Sequence, residues 1–387
     1  MGSLKKVFKD NITQYSMIIA LVGIMIFFEI ASGGILLKPL NITNLILQNS
    51  YVLILAIGML LVIVAFYIDL SVGSIAAVVG ALSGIYIINK GMNVYLGITL
   101  ALILGALIGA FQGFWIAYVK IPAFITTLAG MLIFRGLTYV CLDGTSIAPF
   151  PTAFQKMSTG FIPDVFHGSG MHITTLVVGL ILTAIYVYFE VKKRRTQKKY
   201  NFEVSSAGIF IFKVVLIVAV INTFSYILAS YKGIPNVLVL LGVLIVFYSF
   251  VMTKTTIGRH IYALGGNAKA AALSGIKTKT ISFFVFVNMG VLAALSGLVF
   301  AARLNSATPN AGVNFEMDAI ASCFIGGAST AGGIGTISGA MIGGLVMGVM
   351  NNGMSLLGVG IDWQQTIKGI VLLLAVAFDV YSKSKTS

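Results

Sequence analysis

Apolar residues in this chain come in uninterrupted runs of about 20, the length a helix needs to cross about 30 Å of hydrocarbon. Inside lipid only helices and closed barrels satisfy every backbone polar group. A barrel strand would alternate apolar and polar residues. These runs do not alternate, so they are helices. Of 387 residues, 58% are hydrophobic and 9% charged, against about 25% charged in an ordinary soluble domain. The runs at 15–37, 50–68, 72–89, 96–119, 122–141, 173–190, 207–230, 235–252, 281–302, 337–356 and 364–381 read as spans. A shorter stretch at 318–327 reads as a broken or re-entrant helix. The expected fold is an all-α polytopic membrane protein of roughly 10–12 transmembrane helices forming one domain over 1–387.

The net charge of +14 would suggest nucleic acid in a soluble protein. Here the basic residues flank the spans: Lys5, Lys6 and Lys9; Lys192, Lys193, Arg194, Arg195, Lys198 and Lys199; Lys254, Arg259, Lys269, Lys277 and Lys279; Lys383 and Lys385. That is the positive-inside pattern, so these four segments are assigned to the cytoplasm and nucleic acid is excluded as a partner. The segment 142–172, with Pro149, Pro151 and Pro163, is assigned to the outside, and 253–280 to the cytoplasm. An even number of crossings connects the basic segments once 318–327 is counted as one. The lysines ahead of the first apolar run resemble a signal peptide, but further spans follow, so that run reads as a retained helix.

Catalytic chemistry is thin. No G-x-x-x-x-G-K-[ST] occurs, so ATP has no P-loop here. Gly333-Ile-Gly335-Thr-Ile-Ser338 approaches a dinucleotide fingerprint but opens a membrane span, and reads as a glycine-rich break. His167, His172 and His260 are scattered, as are Cys141 and Cys323, and neither set has metal-binding or nucleophilic spacing. Ionisable residues near the spans are candidates for function: Glu29, Asp69, Arg135, Lys213, Asp318 and Lys368. Asp69, in Ile68-Asp-Leu-Ser71-Val-Gly-Ser74, stands in a polar knot between two apolar runs, where Asp69 or Ser71 could equally cap the next helix. Arg135, Lys213 and Lys368 are expected to snorkel or anchor helix ends. Asn49, Asp69, Ser71, Ser74 and Asp318 are the candidates for a translocation path. An echo links Gly105-Ala-Leu-Ile-Gly109-Ala to Gly339-Ala-Met-Ile-Gly343-Gly. It is either an internal repeat, as in many transporters, or two independent glycine ladders for close helix packing.

Gly258-Arg-His-Ile-Tyr-Ala-Leu-Gly265-Gly266-Asn267-Ala-Lys-Ala-Ala-Ala-Leu-Ser274-Gly275-Ile276 resembles the coupling loop of monosaccharide ABC importer permeases. Three further segments match that family in the same order. They are Asp69-Leu-Ser-Val-Gly-Ser74; Ile121-Pro-Ala-Phe-Ile-Thr-Thr-Leu-Ala-Gly130 with Arg135-Gly-Leu; and Asp318-Ala-Ile-Ala-Ser with Gly326-Gly-Ala-Ser-Thr-Ala-Gly-Gly-Ile-Gly335. Asn351-Asn352-Gly353 follows. The basic loop at 192–199 and Thr145-Ser-Ile-Ala-Pro149 are most similar to the xylose and multiple-monosaccharide members. Tyr67 and Lys269 depart from the pattern, standing where the family often has glycine and an acid.

The resemblance implies an inner-membrane permease that is not itself an enzyme. Its partners would be a cytoplasmic ABC ATPase carrying the ATP and Mg, an extracytoplasmic sugar-binding protein, and a second permease subunit, a copy of this chain. It implies no cofactor in this chain. Arg259, Gly265, Gly266, Asn267, Ala270, Ala271, Ser274 and Gly275 would couple to the ATPase. Within that segment, 265–276 is expected to form a short helix capped by Asn267 and ended by Gly275. The alternative function is an ion-coupled secondary transporter, which would need carboxylates near the midplane.

Overall fold

In the computed structural model, which describes residues 12–384 apart from Ser169, Glu203 and Ser205, every long element is helical. Lys5, Lys6, Lys9 and Lys385 lie outside the described residues. The helices are α1 (Ile12–Ala31), α2 (Pro39–Val64), α3 (Val72–Gly84), α4 (Val94–Phe114), α5 (Ala123–Leu142), α6 (Thr152–Thr159), α7 (Ile173–Lys199) and α8 (Ala207–Ala229). There follow α9 (Asn236–Lys254), α10 (Thr256–Gly266), α11 (Ala268–Leu273), α12 (Thr278–Leu304), α13 (Phe315–Ile325), α14 (Ile337–Leu356) and α15 (Ile361–Ser384). Single π turns, Ile85–Asn89 and Trp115–Val119, continue α3 and α4. Eight of these elements are long and apolar enough to cross a membrane: α2, α3, α4, α5, α7, α8, α9 and α12.

The spans differ from the sequence reading mainly at their starts. α2 begins at Pro39, well ahead of position 50, because Pro39 opens the helix at its first position and the polar side chains behind it are buried by partners. Asn41 and Asn352 exchange amide hydrogen bonds at 2.8 and 3.1 Å. A stretch that reads as a polar loop is therefore a helix whose amides face another helix. The segment 142–172 also contains a helix, α6, anchored by the buried rings of Phe150 and Phe154, stacked at 4.2 Å.

Burial grades the helices. In α2, 83% of the apolar window lies inside the protein, against 11% in α7 and none in α8. α2, α3 and α12 form the centre, and the α7–α8 hairpin stands at the periphery facing lipid. Where helices approach most closely, small residues let the backbones meet. Gly105 and Gly109 of α4 lie against the backbone of α12 at Gly290 and Phe286, where a Cβ would collide. Gly339 and Gly343 of α14 lie in the same way against Gly326 and Ser322, at the end of α13.

The sequence echo extends to the architecture. α2 is a long helix that ends at the left-handed residue Phe66, after which the chain is extended to α3. α12 is a long helix that ends at the left-handed Asn305, after which the chain is irregular to α13. α4 packs on α12 as α14 packs on α2, and α3 packs on α5 as α13 packs on α15. The runs α2–α5 and α12–α15 are thus wired alike and run in opposite senses, which is an inverted repeat.

Candidate translocation core and coupling site

The two breaks meet. Gly73, in the first turn of α3, has no room for a Cβ because the Gly312 carbonyl and the Glu316 carboxylate occupy that space, and Gly312 itself has φ +73°. Phe315, which opens α13, stacks on Tyr51 with ring centroids 4.2 Å apart. Tyr51 lies near the middle of α2, so the junction lies well inside the bundle. The amino ends of α3 and α13 therefore face each other there, each carrying the partial positive charge of a helix start. Asp69 precedes the first, and Glu316 and Asp318 sit in the first turn of the second.

Asp69 is 1% exposed, and its Oδ1 accepts from the Ser71 amide at 2.8 Å and the Ser71 hydroxyl at 2.6 Å. Gln112 donates from Nε2 to the same hydroxyl at 2.8 Å. This corrects the capping expectation: Ser71 makes no side-chain cap to α3, and Asp69 closes a turn onto Ser71 instead. The Ser74 hydroxyl is buried without a hydrogen-bond partner. Arg135 and Lys368 do not snorkel. Arg135 donates from Nη1 to the carbonyls of Ala311, at 2.5 Å, and Pro309, at 3.4 Å, pinning the segment ahead of α13. Lys368 of α15 pairs with Asp318 at 2.9 Å, both side chains largely buried. Lys213 pairs with Glu190 at 3.0 Å on the peripheral hairpin.

Asn49 stands apart from this group. It is buried in α2, donates to the Leu45 carbonyl, and fills the space left by Gly348. It borders an apolar cavity of about 600 Å³ between α2, α8 and α9. Two residues the sequence reading missed belong to the core, Gln112 and Glu316. Gln112 was visible as a lone amide inside an apolar span, and Glu316 as an acid two residues ahead of Asp318. Among the described residues no group of three or more His, Cys, Asp or Glu could hold a metal ion.

At one end of the bundle the coupling segment folds as two helices, not one. Thr255 caps α10, accepting from the Gly258 amide at 3.3 Å. Asn267 then caps α11, accepting from the Ala270 amide at 2.9 Å. Gly275, with φ +84°, ends it: its amide bonds the Ala272 carbonyl and that of Ile276 bonds Ala271, a complete Schellman motif. Arg259, Gly266, Asn267, Ala270, Ser274 and Gly275 are exposed. Ala271 is 5% exposed and turns inward, whereas Leu273 is 90% exposed.

The segment is fastened to the end of α2, where the first break begins, and to the glycine loop between α13 and α14. Gly265 lies against the Val64 carbonyl at the end of α2 and against Gly333, whose amide donates to that same carbonyl at 2.9 Å. Tyr262 donates to the Gly335 carbonyl at 2.6 Å, and burial pushes its phenol pKa up. The near-dinucleotide glycines are thus a loop contacting α10, and Thr336 behind them caps α14 through the Gly339 amide.

Opposed helix breaks around buried charges, within a bundle of helices long and apolar enough to cross a membrane, define a multi-pass membrane protein. The chain belongs to the family described as branched-chain amino acid transport system / permease component, whose model matches residues 41–376. It is 40% identical to the xylose transport system permease protein of Haemophilus influenzae over 386 residues, all of both chains. It is 36% identical to the xylose transport system permease protein of Escherichia coli K12, over 97% of this chain and 94% of that one. With the ribose import permease protein of the same strain the identity is 35%, over 88% and 85%. No solved structure matches.

Proposed function

We propose that this chain is the membrane subunit of an ABC importer that carries a neutral monosaccharide, xylose or a related pentose or hexose, across the cytoplasmic membrane. A separate ATPase binding ATP and Mg powers it, an extracytoplasmic binding protein delivers the sugar, and a second copy of the chain completes the passage. The observation that carries this reading is the junction of Gly265, Val64 and Gly333, through which the segment 256–273 bears on the end of α2 and on the loop ahead of α14. An ATPase that moves α11 would move the ends of α2 and the loop ahead of α14 together. A neutral cargo is in keeping with two of the partly buried cations: Lys368 is matched by Asp318, and Arg135 donates to the carbonyls of Ala311 and Pro309.

The test is uptake of labelled D-xylose into proteoliposomes holding the chain with its ATPase and binding protein. Uptake should require ATP and survive a protonophore. Uptake that needs a proton gradient and ignores ATP would make this an ion-coupled carrier, with Glu316 the first carboxylate to examine.

A further inference from the structure

Beside the Asp318–Lys368 pair, α13, α14 and α15 wall a cavity of about 260 Å³ that opens to the surface of the chain at Met317 and Gln365. Asn314, Asp318, Gln365 and Lys368 supply its polar lining, and Ala321 and Met347 part of the rest. The pairing inside it is incomplete in a specific way. Lys368 uses one N–H on Asp318 Oδ1, and Asn314 Nδ2 donates to Gln365 Oε1 at 3.0 Å. Asp318 Oδ2, two N–H of Lys368, the Gln365 amide N–H groups and the Asn314 carbonyl oxygen have no partner among the described residues. The cavity therefore offers unspent donors and unspent acceptors side by side, while its two charges cancel.

A sugar hydroxyl both donates and accepts, and a ring with several hydroxyls presents both roles at neighbouring positions. A carboxylate or phosphate would find Lys368 already matched, and an apolar solute would leave every free valence unmet. We propose that this cavity is a hydroxyl-matching station for a neutral monosaccharide in transit, with Asp318, Lys368 and Gln365 as its positioning groups. The proposal rests on the sugar-importer reading above and assigns that cargo a place within the chain. A station of this kind sets rate and preference among sugars, because an external protein sets affinity.

Two double variants separate hydrogen bonding from structure, since both remove the buried charges together and leave neither unpaired. In the reconstituted system, Asp318→Asn with Lys368→Gln should keep at least about half the wild-type maximal rate. Asp318→Leu with Lys368→Met should assemble with the ATPase yet lose at least tenfold in maximal rate at unchanged KM. Gln365→Leu, at an exposed position, should change the ratio of D-xylose to D-ribose uptake at least threefold. An apolar double variant that transports at the wild-type rate overturns the station, and so does an unchanged sugar ratio in Gln365→Leu should the apolar double fail to assemble. A wild-type system that moves no free monosaccharide overturns the importer reading and this one with it.

Discussion

Ala271 and Leu273 are two residues apart on one short helix and face opposite ways. Leu273 is 90% exposed, a large apolar side chain held in water by a helix with a cap at each end. Removing it costs the isolated chain little, since exposed substitutions usually stay within about 0.5 kcal/mol. If it is buried in the ATPase, Leu273→Ser forfeits about 1.5–3 kcal/mol of docking, roughly ten- to hundredfold in affinity. Pull-down of the ATPase should weaken while the melting temperature of the permease alone holds. Ala271→Trp should do the reverse, lowering stability by about 1–3 kcal/mol through overpacking against the body. Equal ATPase capture by Leu273→Ser and wild type would remove Leu273 from the contact. In the segment ahead of α7, Asp164 accepts from the Thr174 hydroxyl at 2.7 Å and from the amides of Thr174, Gly168 and Ile173. These bonds, led by the Thr174 hydroxyl, hold its carboxyl well below the usual carboxylate range. A depressed folded-state pKa gives stability that is present above the unfolded value near 3.8 and is lost as pH falls through the folded one. The loop around 164–174 should therefore resist an acid protease at pH 4 in the wild type, and Asp164→Asn should be cut there at neutral pH as well.

Between elements, the coupling helices are held by backbone contact, which makes glycine identity decisive. A side chain at Gly265 would strike the Val64 carbonyl and Gly333, whereas one at Gly266 meets nothing within 4 Å. Gly265→Val should lower the melting temperature, consistent with about 1–3 kcal/mol of strain, and reduce uptake at least tenfold in complexes that still hydrolyse ATP. Gly266→Ala should match wild type in both. Similar behaviour of the two variants would show that the junction does not transmit the motion. The same elements show what the sequence carried openly. Asn267, Gly275 and the alanines between them specify a capped short helix by local chemistry alone, and the structure has it. The long apolar runs placed the spans because period and length are local properties. Thr256–Gly266 passed as loop because a helix of 11 residues with three glycines has weak propensity and is held by its contacts with α2 and the 329–335 loop. The partners of Arg135 and Lys368 were invisible for the same reason, since each lies more than 45 residues away along the chain. Of the five path candidates, Asp69, Ser71 and Asp318 lie at the meeting of the breaks, which residue type and polarity had suggested. Asn49 lies apart from them, bonded to the Leu45 carbonyl and packed against Gly348, a placement that a single sequence does not reveal.

Over the whole molecule, two sets of connections gather at opposite ends of the helices. Ile147 bridges Ala307, Phe161 bridges Pro235, and Asn236 donates to Gly160, which gathers the 142–172 segment, the start of α9 and the end of α12. Val64, Tyr262, Gly265 and Gly333 gather the end of α2, the coupling helices and the loop ahead of α14 at the opposite end of α9 and α12. The basic tail of α7, with Lys198 and Lys199 in its last turn, runs away from the first set. Basic residues near short loops are retained on the cytoplasmic side, so we propose that the second set faces the cytoplasm and the first faces outside. α13 with its flanking breaks completes a crossing that its 11 helical residues alone do not span, and parity along the chain is kept. Single cysteines read this map, provided they are placed where a reagent can reach. Ser158 looks suitable in sequence, but it lies in α6 with its side chain fully buried. Val165 is 67% exposed and Leu273 is 90% exposed. In a background with Cys141 and Cys323 replaced by serine, Val165→Cys in intact cells should react with a membrane-impermeant maleimide. Leu273→Cys should react only after the cells are opened. Labelling of Leu273→Cys in intact cells, or protection of Val165→Cys until lysis, would invert the orientation and place α11 where no ATPase can meet it.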